Sequence, residues 1–192
     1  LFTIYNKILL IYYIYNIVQG GFIMITFKEP IDVSFQQIED YKNEFILNNE
    51  TIHGAANLTD LSINEWVKFV ENTKYKETVT PGFVTAHTFF SLDDNKIVGI
   101  INARHELNDY LLNFGGHIGY SVRKSERRKG YAKKMLNYTS QFLFSLGLEK
   151  ILITCDKNNI ASKRTIESCG GILENEVIEE SRITLRYWIY KK

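Results

Sequence analysis

The chain has 192 residues, 45% of them hydrophobic, and a net charge of +1. That length gives one domain a substantial core and is short for two; the apolar content excludes a disordered chain, and the near-zero charge supplies no global field to gather nucleic acid or a membrane. Two cysteines without CxxC spacing argue against a disulfide scaffold and for a reducing cytoplasm, and with four scattered histidines they form no metal-ligand pattern, so no metal is expected.

In chain order, residues 1–23 are rich in Ile, Tyr and Leu, but their longest apolar run, 8–15, falls short of the ~20 residues a spanning helix needs. They read as an N-terminal extension outside the working fold; a membrane anchor or signal-like segment and an integral core element are the alternatives. Residues 24–192 read as a single domain. A strand over 24–27 ends before Pro30, and a helix over 34–47 carries Phe35, Ile38, Tyr41 and Phe45 at helical spacing. Residues 48–61 are polar and loop-like. Ser62 and Glu65 form a capping box for a helix that buries Ile63, Trp66, Val67 and Val70. After Pro81-Gly82, strands over 85–92 and 96–104 flank the hairpin signal Asp93-Asp94-Asn95. Residues 110–116 connect to a strand over 117–122.

The next helix has one apolar stripe, Ala132, Met135, Leu136, Thr139, Phe142, Leu143 and Leu146, and stops at Gly147. A buried-type strand over 150–155 follows, then a helix over 159–169 and a final hairpin, 172–178 with 183–190, around Glu179-Glu180-Ser181. The order β-α-α-β-β-β-α-β-α-β-β describes an α/β (α+β) fold: a mixed, mostly antiparallel central sheet with helices on both faces.

Charge is concentrated between Arg123 and Lys134, with seven Lys/Arg against one Glu. Here a strand runs through a basic, glycine-containing loop directly into a helix. Backbone N–H groups converging at a helix N-terminus, where the macrodipole also favours an anion, form a phosphate site. The N–H groups from Arg128 to Ala132 are the donors, and Gly130 permits close backbone approach.

The string Arg127-Arg128-Lys129-Gly130-Tyr131-Ala132, with Val122 five residues ahead of it, resembles the Arg/Gln-x-x-Gly-x-Gly/Ala signature of the GNAT superfamily of N-acetyltransferases. Asn159, Ser162 and Gly170 resemble the family's second feature, and residues 104–120 are similar to a bacterial subgroup of predicted acetyltransferases. The resemblance covers residues 24–188. It implies acetyl-CoA as cosubstrate, with its diphosphate on the 127–132 turn and Arg127, Arg128 and Lys129 adding charge. It also implies pantetheine paired to the backbone of Tyr120 and Val122, a thioester near Ile118 to Tyr120 where a backbone N–H stabilises the oxyanion, and Asn159 and Ser162 beside the cosubstrate. The reaction implied is acetyl transfer to an amine of a small molecule or protein, with a homodimer compatible.

The chain departs from that pattern twice. Ile166 stands where many members carry a tyrosine acid, with Tyr120 and Tyr131 as substitutes. Gly116 stands where several carry a Glu or His base, and His105, Glu106 and His117 are the candidates in its place. Each of the three also has a structural reading: a polar strand end, an ion pair with Arg104, or a hydrogen bond near the Gly115-Gly116 turn. Cys155 reads as a small buried hydrophobe, an acyl-cysteine route being the alternative. Trp66 and Trp188 read as core or pocket-wall aromatics. A catalytically silent acyl-CoA-binding module is the competing function. A nucleic-acid binder is disfavoured because basic and aromatic residues do not recur elsewhere.

Overall fold

The computed structural model describes residues 25–179 and 181–192; the extension over 1–23, Met24 and Glu180 lie outside the described residues. Strands β1 (Ile25–Lys28), β2 (Ala86–Asp93), β3 (Lys96–Arg104) and β4 (Ile118–Val122) form one antiparallel sheet in that order. Strands β5 (Lys150–Asp156), β6 (Ile172–Glu179) and β7 (Arg182–Tyr190) form a second, ordered β5-β7-β6. Four helices complete the expected element order: α1 (Phe35–Leu47), α2 (Ile63–Asn72), α3 (Tyr131–Ser145) and α4 (Ile160–Ser168).

Local chemistry explains most boundaries. Both α1 and α2 start on capping boxes, Ser34 with Gln37 and Ser62 with Glu65. The β2–β3 turn places Asp94 and Asn95 at φ 44° and 62°, the doubly left-handed turn that matches strand twist. Asn159 caps α4 by accepting the Ser162 N–H at 3.0 Å. Two residues leave their expected stripes. Phe35, at the first position of α1, is 51% exposed, and Leu146, past the last turn of α3, is 41% exposed; both sit at helix ends.

The first sheet separates two apolar layers. On one face α1, α2 and the 48–61 loop pack Ile38, Tyr41, Trp66 and Leu58 against Phe90 and Ile100. On the other, α3 packs Met135, Leu136 and Leu143 against Phe89, Ile101 and the second sheet. The loop over 48–61 is therefore more than a polar connection: Trp66 Nε1 donates to Ala55 O, and Ser121 Oγ donates to His53 O at 2.9 Å, drawing the loop across β4. Trp188 belongs to neither layer; it is half-buried beneath the Lys150 ammonium, 4.2 Å from its ring. Residues Leu111–Gly115 form a π-type turn that the sequence pattern did not announce.

The two sheets meet where β4 faces β5, and the seam is stitched at one end. His117 N–H donates to Leu152 O at 2.7 Å, and Leu152 N–H donates to His117 Nδ1 at 2.9 Å. Beyond that point the described residues show no ladder between β4 and β5.

Candidate functional site

A cleft of about 660 Å³ lies along this opening, floored by Tyr120, Ser121 and Val122 of β4 and closed by the first turns of α3 and α4. His117 O and Arg123 N–H bond toward β3. By the two-residue alternation of a strand, the N–H and C=O groups of Ile118, Tyr120 and Val122 face the opening instead. Val122 O meets Arg127 Nε at 3.0 Å on that side.

The turn into α3 forms one end of the cleft. Arg128 has φ 65° and Gly130, the N-cap, φ 83° and no side-chain cap. The first N–H groups of a helix have no intrahelical acceptor, so this turn presents donors to the cleft. Most of the neighbouring positive charge is spoken for. Arg123 is buried and latches to Glu44 and to Ile97 O, Arg127 forms a two-pronged pair with Glu50, and Lys129 pairs with Glu126. Arg128 lines the cleft without an ion-pair partner among the described residues. Tyr131 hydroxyl donates to Asp93, which anchors the start of α3 to the β2–β3 turn.

The family model of the acetyltransferase (GNAT) family matches residues 55–170, more than half of the chain. The chain belongs to the GNAT acetyltransferase family. An uncharacterised N-acetyltransferase of Bacillus subtilis, YjdG, is 34% identical over 77 residues, 38% of this chain; the match spans about two fifths (41%) of that relative's length. Among solved structures, the spermidine N-acetyltransferase of Vibrio cholerae aligns over 86% of this chain and 93% of its own, at TM-score 0.61 and 18% identity. RimL, a ribosomal alpha-N-protein acetyltransferase in complex with coenzyme A, covers 88% and 95% at TM-score 0.62 and 14% identity. The microcin self-immunity acetyltransferase MccE, in complex with acetyl-CoA and AMP, covers 82% and 84% at TM-score 0.55 and 22% identity. These likenesses establish the shared fold.

Both departures from the GNAT pattern have a steric reason. Gly116 sits at φ 62° with the chain pressed on β5, and a Cβ there would lie 2.7 Å from Leu152 O, so no side-chain base fits. Ile166 of α4 is fully buried in the core and does not line the cleft. The named cleft residues come together: Tyr120, Val122, Arg127, Arg128, Gly130, Tyr131, Ala132, Asn159 and Ser162 all line it, while Lys129 does not line it and pairs with Glu126.

The three base candidates are not brought to the cleft. His105 contacts His87 at 2.8 Å, and burial lowers both imidazoles, His87 to about 3. Glu106 accepts from Thr85 Oγ1 at 3.3 Å. His117 is buried in the seam; burial lowers it to about 4, and because Nδ1 accepts a hydrogen bond, its proton resides on Nε2.

Tyr120 and His53, both with proton-transfer capacity, do line the cleft. Tyr120 hydroxyl lies 3.0 Å from Ser162 Oγ, and burial pushes its pKa up to about 12, so it stays protonated. His53, at the rim of the 48–61 loop, also lines it; partial desolvation and then the charge of Arg182 hold its imidazole below 6.5, as the free base. Nothing in the local sequence marks His53, since its position comes from a loop 68 residues distant from Ser121. Burial, followed by the charge of Asp156, pushes the Cys155 thiol up to about 11, away from nucleophilic use.

Proposed function

We propose that this chain is an acetyl-CoA-dependent N-acetyltransferase acting on an amine of a small molecule or protein. The observation that carries it is the open, left-handed turn at Arg128–Gly130 ending a cleft that runs along the free edge of β4. A diphosphate fits the turn, and the amides of an extended pantetheine arm fit the strand edge presented by Tyr120 and Val122. The thioester then rests against β4 near Tyr120, where a strand N–H faces the developing oxyanion.

In the transfer step the amine nitrogen attacks the thioester carbonyl carbon, the C–S bond breaks, the nitrogen loses a proton and the sulfur gains one. His53 is suited to accept the first proton and Tyr120 to deliver the second, with Ser162 Oγ orienting the phenol. His117 is the pin of the seam. Cys155 and Cys169 are both free thiols, which supports a cytoplasmic setting. No helix among the described residues is long and apolar enough to cross a membrane.

The test is release of free thiol from acetyl-CoA with pooled amines, alongside calorimetric titration of acetyl-CoA. Binding with turnover supports the proposal. Binding without turnover on any pool favours the silent acyl-CoA module, and absence of binding overturns both.

A further inference from the structure

A second cavity of about 270 Å³ lies on the α1/α2 face of the first sheet, at the other end of β4 from the α3 turn. Its polar lining is Thr73, Asn102, Arg104, Asn108 and the phenol of Tyr110, and Arg104 is the one charged residue among the described residues that line it. The Arg104 guanidinium makes only neutral contacts. Nη1 donates to Gly115 O at 2.6 Å and Gly116 O at 2.8 Å, and Nε donates to Asn102 Oδ1 at 3.2 Å. Nη2 takes no partner among the described residues and lies 3.2 Å from where a Cβ on Gly119 would be. Gly119 is the β4 residue next to Tyr120 and touches Gly54 of the crossing loop. Desolvation lowers this guanidinium to about 10 against a smaller upward pull from Tyr110, and no carboxylate pairs with it among the described residues.

Resting on the acetyl-transfer reading of the large cleft, we propose that this cavity receives an acceptor bearing a carboxylate next to its amine, a free α-amino acid, and that Arg104 binds the carboxylate. Two observations select that class. An unneutralised, desolvated guanidinium matches a carboxylate and repels a polyamine. Nη2 faces Gly119, the β4 neighbour of Tyr120, so an α-amine, which sits next to the carboxylate carbon, stays nearer the proposed thioester locus than a side-chain amine would. Pairing the carboxylate with Arg104 also removes its electrostatic hold on the ammonium, which increases the free-base fraction of the amine. The products are the N-acetylamino acid and the coenzyme A thiol, with the amine proton lost and the sulfur protonated.

The experiment compares kcat/KM for amino acids, their carboxamides and their decarboxylated amines with acetyl-CoA. At least one amino acid should exceed its carboxamide by about tenfold or more, the worth of a hydrogen-bonded charge pair. Arg104→Gln should bring that ratio close to one. Asn102→Asp, which places a carboxylate beside Arg104 Nε, should do the same with the guanidinium kept. Both variants should still bind acetyl-CoA calorimetrically, which separates loss of the acceptor site from misfolding. Equal use of acid and carboxamide by the unmodified protein, or a preference for polyamines, overturns the proposal. If no amine is turned over, saturation-transfer NMR of an amino-acid pool with coenzyme A-loaded protein decides: signals abolished by both variants support the site while the transfer reading fails, and absence of signals overturns it.

Discussion

Gly130 carries the phosphate turn through its backbone alone. Its φ is 83°, and no atom lies within 4 Å of the place a Cβ would occupy, so Gly130→Ala meets a conformational cost of ~1 kcal/mol and no clash. The expected result is a Tm only ~2–4 °C lower, with acetyl-CoA binding weakened about tenfold or more because the methyl group stands where the diphosphate must approach. A Tm loss with unchanged affinity would place the diphosphate elsewhere. Tyr120 and His53 separate by pH. The Tyr120 phenol, held up at about 12, contributes no alkaline fall near neutrality, and Tyr120→Phe should reduce kcat roughly a hundredfold. His53 is active as its free base, so kcat/KM should fall as pH drops through its lowered value, below 6.5. His53→Gln should remove that acid limb; an unaltered pH profile takes His53 out of the mechanism.

At the level of elements, the run of positive charge ahead of α3 divides into latch and site. Arg123 is buried against Glu44 of α1, and Ser125 N–H and Oγ also donate to the same carboxylate at 2.8 and 3.1 Å. Burial acts to raise the Glu44 pKa, but the hydrogen bonds from Ser125 and Arg123 outweigh it and hold it below 4.5. A depressed carboxylate gives stability that is present above its unfolded value and lost as pH falls through its folded value. Glu44→Gln should therefore lower stability by ~3 kcal/mol at pH 7, because it leaves Arg123 buried without its counter-charge. The difference from the unmodified protein should shrink in thermal melts as the pH falls below 4.5. A gap that persists unchanged into acid would show that packing rather than charge holds the latch.

For the molecule as a whole, the elements were legible where turn and cap chemistry is local. Ser62 with Glu65, Asp94-Asn95 and the α3 stripe each state their geometry within a few residues. The phosphate turn was legible for the same reason, being a contiguous string. His53 and Arg104 were not, because His53 reaches the cleft on a loop pulled across β4 by Ser121, and Arg104 faces its cavity only once the 105–117 connection coils into a π-type turn. Gly116 and His117 both press on Leu152 of β5, a use that their places in the sequence do not announce.

The half-stitched seam has a thermodynamic consequence. A sheet interrupted in its middle leaves the N–H groups of Tyr120 and Val122 facing the gap, and whatever extended amide chain enters it becomes a temporary rung at the seam between the two sheets. Such a guest stabilises the native state by ~2.7 kcal/mol at a hundred times its dissociation constant, a rise of ~5–10 °C in midpoint for a chain of this size. Amide exchange at those two strand positions should slow in step with acetyl-CoA concentration. Heat resistance in this protein is then set as much by how much cosubstrate is present as by the residues it was folded from.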